Sequence, residues 1–295
     1  MVQRKETIFG NNRVFTQSQQ NLLVTGANRY YTDGFTISGN GLSTSGTDPT
    51  FAAVFQNLIT TFQLDVAGIP QIRLSLEQIY AMNVLKLGNN PLTVNAGSVN
   101  NQTWEFSSLW IPAWMPPSNS NMTASLTYGG DASFDNERIS FAAHFLDGIP
   151  RTEAQYYNVT DLTTSGIDST AYGNATADIN LVGNMTGLMV RSTTIPGAAV
   201  AYNRGTVQEV RVQDNGETLA VWDWYESQNP KIFTGQYVGA LEGSPANTSI
   251  LDNYRYIDMS KEPIAAGHKV SIGVNAGVTA EAVSVIPFQS VPFSR

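Results

Sequence analysis

Acidic residues and tryptophans lie close together near residue 222, where they could form a sugar-binding or hydrolytic site. Glu209, Asp223 and Glu226 surround Trp222 and Trp224. Two carboxylates beside an aromatic platform are the groups that glycosidases use on a sugar chain. Alternation along a strand, however, places Asp223 on the opposite face from Trp222. We therefore expect no catalytic pair here, and we predict that Trp222 and Trp224 serve packing or an interface.

Histidine and cysteine usage limits the other chemistries. His144 and His268 are the two histidines, and each stands in a strand-like segment, FAAHFL or GHKVSIGV, without a second ligand at metal-binding spacing. Cysteine is absent, which removes disulfides, thiolate catalysis and most structural zinc sites. The fragments GNG and GNN are not followed by a helix and a lysine, so they predict no phosphate-binding loop. The sequence predicts no enzyme, no cofactor and no metal site.

The composition points toward contacts with other proteins. Charged residues make up 14% of the 295 residues and the net charge is -8, whereas soluble proteins average about 25% charged residues. An acidic, charge-poor chain is unsuited to duplex nucleic acid, which requires clustered Lys and Arg. The missing charged residues are replaced by uncharged ones, mainly Asn, Gln, Ser, Thr and Gly. Removing water from uncharged polar groups costs less free energy than removing it from ions, so such a surface suits contact with another protein.

Membrane and export signals are not evident. No apolar run approaches the roughly 18 residues that span a bilayer. Residues 1–20 lack the apolar core of a signal peptide. The six Asn-X-Ser/Thr sequons are near chance in a chain so rich in these residues, and they do not predict glycosylation.

The segment 206–226 contains the strongest local fold signal. Asn215-Gly216 suits a type I′ turn, and it lies between runs rich in β-branched and aromatic residues. If these two residues form the loop, Asp214 faces Glu217. The apolar cross-strand pairs on the inward face are then Val212 with Leu219 and Val210 with Val221. The opposite face would carry Trp222, Trp224, Glu209 and Arg211.

Period-two patterns predict further half-buried strands, and one helix is expected between them. The strands cover residues 21–25, 35–38, 54–66, 104–114, 122–128, 139–145, 231–238 and 250–259, and residues 270–286 form a closing hairpin. An amphipathic helix is predicted over 76–87 because Ser75 and Gln78 form a capping box before apolar residues three and four apart.

The remaining segments are predicted to lie outside a β-sheet core formed by residues 21–146 and 198–286. Residues 1–20, which include Arg4 and Lys5, are expected to be an arm ordered by a partner. Residues 147–197 are rich in Thr, Ser, Gly and Asn and are expected to form a surface insertion with its own short strands. Residues 287–295 contain Pro287-Phe288 and Pro292-Phe293, and this tail is expected to lie in a groove or dock on a neighbour rather than join a sheet.

The pattern as a whole resembles a jelly-roll viral coat protein. The segments YYTDGFTISGNG, 54–66 and KVSIGVNAGVTAEAVSVIPF look most coat-like. More narrowly, the chain is similar to the large major capsid protein of the tailless icosahedral Thermus phages with an internal membrane. The resemblance implies an all-β fold, a jelly-roll barrel or sandwich, as a single upright barrel with a decorating turret and one short helix.

The same resemblance implies partners and location. The partners would be other copies of the chain, a second smaller capsid protein and the internal viral membrane, which the N-terminal arm would reach, without direct contact with nucleic acid. The chain would be made in the host cytoplasm and located in the virion. The interface candidates are Arg4, Lys5, Trp222, Trp224, Pro287, Phe288, Pro292 and Phe293.

The alternative function is that of a carbohydrate-binding β-sandwich module of a phage spike or a secreted enzyme. A third possibility, a glycoside hydrolase, would require a cleft with two convergent carboxylates.

Overall fold

The computed structural model consists mainly of antiparallel β-sheets and divides the chain into two compact units. It describes residues 2–15, 19–43, 51–89, 91, 93–95, 103–117, 121–130, 134–147, 155–160, 173–192, 207–223, 251, 254–276 and 283–292. Unit 1 comprises residues 1–158 and 292–295, and unit 2 comprises residues 159–291. Two units therefore stand in place of the single barrel that the resemblance implies.

The described elements are seventeen strands, two α-helices and one short 3₁₀ turn. In chain order they are β1 (Val2–Val14), β2 (Gln19–Leu23), the 3₁₀ turn (Thr25–Asn28), β3 (Tyr31–Ser43), α1 (Phe51–Asn57), β4 (Ile59–Val66), β5 (Ile69–Leu74), α2 (Leu76–Leu85), β6 (Thr93–Asn95), β7 (Thr103–Met115), β8 (Met122–Tyr128), β9 (Phe134–Asp147), β10 (Gln155–Thr160), β11 (Gly173–Asn180), β12 (Asn184–Ser192), β13 (Val207–Asp214), β14 (Glu217–Asp223), β15 (Tyr254–Asp258), β16 (Lys269–Ala276) and β17 (Val283–Pro292). The boundary between the two units falls within β10.

Unit 1 is built from two sheets that pack through aromatic side chains. One sheet has the order β1-β9-β3-β7-β6, and the other contains β5-β4-β8-β2. Phe141 of β9 stacks on Phe35 of β3 with ring centroids 5.4 Å apart, and it contacts Phe62 of β4 at 5.7 Å. All three side chains have no exposed surface. Their burial removes several hundred Å² of apolar surface from water, and it joins the two sheets into one core.

Glycines of β3 make room for large aromatic side chains of β7. A Cβ atom on Gly39 would lie 2.7 Å from the Phe106 ring, and one on Gly41 would lie 2.7 Å from Cε2 of Trp104. The cross-strand register pairs Gly39 with Phe106 and Gly41 with Trp104. The glycine side of each pair therefore provides the space into which the aromatic ring packs.

Helix α2 forms as predicted, but it has no exposed face. Ser75 accepts a hydrogen bond from the Gln78 amide at 3.2 Å, and the Gln78 side chain accepts one from the Ser75 amide at 2.7 Å. These two bonds satisfy amides that the first turn leaves without helical partners. All ten residues of the helix are buried, including Glu77 and Asn83. The predicted amphipathic helix is thus an interior helix of unit 1.

The predicted strand over 54–66 is wrong in its first part. Residues Phe51–Asn57 form α1, and the strand begins at Ile59. Val54 and Leu58 are four residues apart, a spacing that suits a helix as well as a strand. The Phe55 ring stacks on Tyr80 of α2 with centroids 4.5 Å apart, so packing between the two helices favours the helical form.

In unit 2 the chain passes back and forth between two sheets. One sheet contains β15-β12-β17 and the other has the order β11-β16-β13-β14. Apart from the β13–β14 hairpin, consecutive strands from β11 to β17 lie in different sheets. This alternation is the winding expected of a jelly roll. Strand β16 continues through Asn275 and Ala276, so the turn of the closing hairpin predicted over 270–286 does not begin at Asn275, and the predicted second arm, 278–282, lies outside the described residues.

The segment 147–197 contributes to the core of unit 2, contrary to the predicted surface insertion. Strands β11 and β12 lie in this segment, and Ile179, Leu181 and Leu188 are at most 4% exposed. Asp178 and Asn180 alternate with the buried residues and are exposed. This alternation is that of half-buried strands, and their apolar side belongs to a core rather than to a surface insertion.

Both terminal segments belong to strands. Residues 2–14 form β1, which pairs with β9, so the predicted N-terminal arm is an edge strand of unit 1. Residues 283–292 form β17, in which Pro287 pairs with Leu188 of β12. A proline removes a single ladder donor, and this loss does not prevent the rest of the strand from pairing. The prediction that 287–295 cannot join a sheet is therefore wrong for its first six residues, while 293–295 lie outside the described residues.

Candidate assembly surfaces

The β13–β14 hairpin has the predicted turn but a different register. Asp214 pairs with Glu217, as expected. Beyond the turn the register shifts by one residue, so that Val212 pairs with Ala220 and Val210 with Trp222. The shift is a β-bulge at Leu219, and a bulge reverses the faces of all residues that follow it.

The bulge turns Trp222 inward and the aliphatic residues of β14 outward. Val210 and Val212 have no exposed surface, and Trp222 packs against the same core cluster. Leu219 and Val221 are 47% and 46% exposed. The predicted inward position of Leu219 and Val221 is therefore wrong, and so is the outward position of Trp222.

This arrangement weakens the case for a sugar site on the hairpin. Trp222 is partly buried against the core, so less of its indole surface is open to a sugar ring. Glu209 is paired with Arg211 at 2.8 Å, which occupies its carboxylate. Trp224 and Glu226, as well as the side chain of Asp223, lie outside the described residues.

The outward face of the β11-β16-β13-β14 sheet carries a network of polar contacts. Asp178 accepts a hydrogen bond from Ser271 at 2.6 Å and forms an ion pair with Lys269 at 2.6 Å. The hydrogen bonds from Lys269 and Ser271 lower the pKa of Asp178. Gln213 donates to the Thr218 hydroxyl at 3.1 Å. With Leu219 and Val221 on its edge strand, this face combines internally paired polar groups with exposed aliphatic ones.

Arg4 and Lys5 lie on opposite faces of β1. Arg4 pairs with Phe145 in the ladder and Lys5 with His144. The Arg4 guanidinium forms an ion pair with Asp147 at 3.2 Å and lies 4.7 Å from the centre of the Tyr30 ring. Both side chains are exposed, yet alternation prevents them from forming a joint basic patch.

Beside Lys5, the other face of this sheet holds a cluster of polar groups around His144. The imidazole Nε2 lies 2.9 Å from the Thr36 hydroxyl, and the ring packs edge-on against Trp110 at 5.4 Å. Burial lowers the pKa of His144, and the charge of Lys5 lowers it further, whereas Asp33 acts in the opposite direction. Burial raises the pKa of Asp33, which the charge of His144 partly offsets.

Two of the four C-terminal candidates are buried. Pro287 and Phe288 lie among buried residues, and Phe288 has no exposed surface. The Phe288 ring packs edge-on against Tyr256 at 5.6 Å. Pro292 is the last residue of β17, and Phe293 lies outside the described residues. Pro287 and Phe288 therefore stabilise unit 2 and are not free to dock on a neighbour.

The described residues form no metal site and no membrane-spanning helix. Within the described residues, no three His, Asp or Glu side chains converge on a position where they could hold a metal ion. His268 instead contacts Asp214, with Nδ1 and Oδ2 2.6 Å apart. In the same part of the chain, no helix has the length and apolar character needed to cross a bilayer.

Comparison with known proteins shows a match in three dimensions alone. No protein-family model and no curated protein sequence matches the chain. The solved structure of the major capsid protein of Sulfolobus Turreted Icosahedral Virus matches with a TM-score of 0.72 at 12% identity, and the match covers 99% of this chain and 97% of that one. The chain has the fold of a viral major capsid protein.

Other virus structures support the same fold. The major capsid protein of bacteriophage PM2 matches with a TM-score of 0.58 at 10% identity, over 100% of this chain and 99% of that one. The capsid of the virus PBCV-1 matches with a TM-score of 0.55 at 10% identity, over 98% and 93%. The predicted all-β jelly-roll class and the resemblance to capsid proteins are thus confirmed at the level of the fold.

Proposed function

We propose that this chain is the major capsid protein of an icosahedral virus, located in the virion and assembled from many copies of itself. The observation that carries the proposal is the end-to-end match to the turreted virus capsid protein, which spans both units and almost the whole of each chain. A shared fold alone permits different functions, so the surface of this chain supplies the second argument.

The described surface suits repeated contact between copies. On the outward face of the β11-β16-β13-β14 sheet, the charges of Asp178, Lys269, Glu209 and Arg211 are paired within the chain. Because these charges are already paired, contact with a neighbour buries few unpaired ions and its desolvation cost is lower. The exposed Leu219 and Val221 add apolar area at the edge of this face. Contacts of this kind are individually weak, and many copies together can hold a shell.

Electron microscopy of the purified full-length chain tests assembly. We expect regular capsomers or hexagonal sheets in negative stain. A double variant, Leu219→Lys with Val221→Lys, should reduce them, because it places two positive charges in the contact. Ser260→Lys is the matched control, since Ser260 is exposed in unit 2 away from β14. Dispersed monomers under all conditions, together with saturable binding of oligosaccharides that quenches tryptophan fluorescence, would favour the carbohydrate-binding alternative.

We further propose that the capsid contains a second, smaller capsid protein and encloses a membrane. Arg4 and Lys5 supply positive charge on β1, and each could contribute about 1 kcal/mol of attraction to an anionic lipid surface. Lys5 should contribute more than Arg4, because Arg4 is already paired with Asp147.

Flotation with vesicles that contain phosphatidylglycerol tests the membrane contact. Lys5→Ser should reduce the floated fraction, and Arg4→Ser should reduce it less. Arg73→Ser serves as the control, because Arg73 is an exposed cation on the other sheet of unit 1. If all three variants and the original chain float equally, β1 does not contact the membrane, and the proposal that the chain is a capsid protein is unaffected.

A further inference from the structure

Histidine is the side chain whose ordinary pKa allows a change of charge between pH 5 and pH 8, and His144 occupies a position where that change would have a mechanical effect. It lies on β9, directly across the ladder from Lys5 of β1. Directly opposed residues on one face of an antiparallel pair have Cβ atoms about 5 Å apart, and like charges at this position destabilise the pairing. Protonation of His144 would place two positive charges in that position.

We propose that protonation of His144 releases the first half of β1, residues 2–7, from β9. The released segment is defined by the ladder itself. Pairing is continuous from Val2 to Thr7, and the register breaks on both sides of Phe9. Phe9 is buried and anchors the second half of the strand. Gln3, Arg4, Lys5 and Thr7 are exposed, so little apolar burial holds the first half in place.

The groups that surround His144 determine the sign of the response. On β1 the facing charge is Lys5, on β3 it is Asp33, which in turn acts on Tyr31, and on β7 the packed side chain is the uncharged Trp110. Burial raises the pKa of Tyr31 to about 12, so this side chain stays neutral. The charge of Lys5 disfavours protonation of the His144 imidazole, and the charge of Asp33 partly offsets this effect.

The direction of the pH dependence follows from these contacts. Burial and Lys5 hold the pKa of His144 below its ordinary value of about 6.5 in the paired strand. The released state therefore binds more protons than the paired state. Pairing of residues 2–7 is fully favoured above about pH 6.5, and the advantage is lost as the pH falls below that value.

Hydrogen exchange of the β1 amides at pH 7.5 and pH 5.5, corrected for the intrinsic pH dependence of exchange, tests the proposal. In the original chain, protection of residues 2–7 should fall severalfold at pH 5.5, while β3 and β7 remain protected. His144→Gln should abolish this fall, because glutamine can still bond to Thr36 but stays neutral. His268→Gln is the matched control, because His268 is the other histidine of the chain, and it should behave as the original.

Two further variants keep the test decisive if His144→Gln does not fold. Lys5→Met removes the opposing charge and should weaken the acid response, whereas Asp33→Asn removes the compensating charge and should strengthen it. The proposal is overturned if protection of residues 2–7 is equal at the two pH values. It is also overturned if His144→Gln or Lys5→Met responds to acid as strongly as the original chain, or if all strands of unit 1 lose protection together.

Discussion

Asn83 of α2 forms hydrogen bonds with the backbone of β7 at Trp110, and its substitution should destabilise unit 1. Its side-chain amide donates to the Trp110 carbonyl at 2.8 Å and accepts from the Trp110 amide at 2.9 Å. Strand β6 pairs with β7 from Trp104 to Phe106 and does not reach Trp110. Asn83 is 1% exposed, so water cannot substitute for these two bonds.

The loss of unfolding free energy expected for Asn83→Leu follows from the backbone groups of Trp110 that would lose their hydrogen-bond partner. The Trp110 amide and carbonyl would both be buried without this partner, and each unsatisfied group costs about 1–3 kcal/mol. The added apolar surface of leucine offsets roughly 1 kcal/mol of this loss. We therefore expect unfolding free energy to fall by about 3 kcal/mol. The third bond of Asn83, to the Ile79 carbonyl at 2.8 Å, adds little, since that carbonyl can also accept within the helix.

Urea unfolding measures this loss, and it should be followed by a signal from unit 1, because a chain of two units need not unfold in a single step. Trp104, Trp110 and Trp114 lie in unit 1, so tryptophan fluorescence reports mainly on it. Asn21→Leu is the control, since Asn21 is an exposed asparagine of the same unit. A change within about 0.5 kcal/mol for Asn83→Leu, the range of ordinary surface substitutions, would refute the claim that Asn83 satisfies the edge of β7.

Two further substitutions test the packing in each unit. Gly41→Ala should cost about 1–3 kcal/mol, because the new methyl group would overlap the buried Trp104 ring; a neutral result in urea unfolding would mean that the indole can move aside. Val212→Ala should cost about 2 kcal/mol and Leu219→Ala less than about 0.5 kcal/mol, since Val212 is buried and Leu219 lies on the exposed bulge. If the two substitutions lower the free energy of unfolding equally, the hairpin has the register without the bulge, in which Val212 and Leu219 both face inward.

Local signals in the sequence predicted local structure well. The Asn215-Gly216 turn and the Ser75–Gln78 capping box both form, because each depends on residues within a few positions. The bulge at Leu219 was not predictable in this way. It is stabilised by the fit of Trp222 against the core of unit 2, and that core is assembled from distant strands.

Contacts between residues distant in sequence override the local pattern in α2, β17 and β1. Helix α2 is buried on all sides, so Glu77 and Asn83 do not mark an exposed face. Strand β17 contains Pro287, and its pairing with β12 outweighs the lost donor. For the candidate surfaces, the sequence identified the basic residues Arg4 and Lys5, but the pairing of residues 2–14 with β9, which separates their faces, is a long-range contact.

The back-and-forth winding of unit 2 has a consequence for how the chain reaches its native state. Asn184 of β12 pairs with Ser290 of β17, so these partners are joined across a sequence separation of about a hundred residues. The chain loses conformational entropy when such a long loop closes, before strand pairing stabilises the structure. Domains with this topology therefore typically fold in milliseconds to seconds. The β13–β14 hairpin is the pair that can form locally among the described strands of unit 2. We therefore expect this hairpin to form first, and β12 to lack its β17 partner until residues 283–292 have emerged from the ribosome. During that interval, premature association between nascent copies competes with folding.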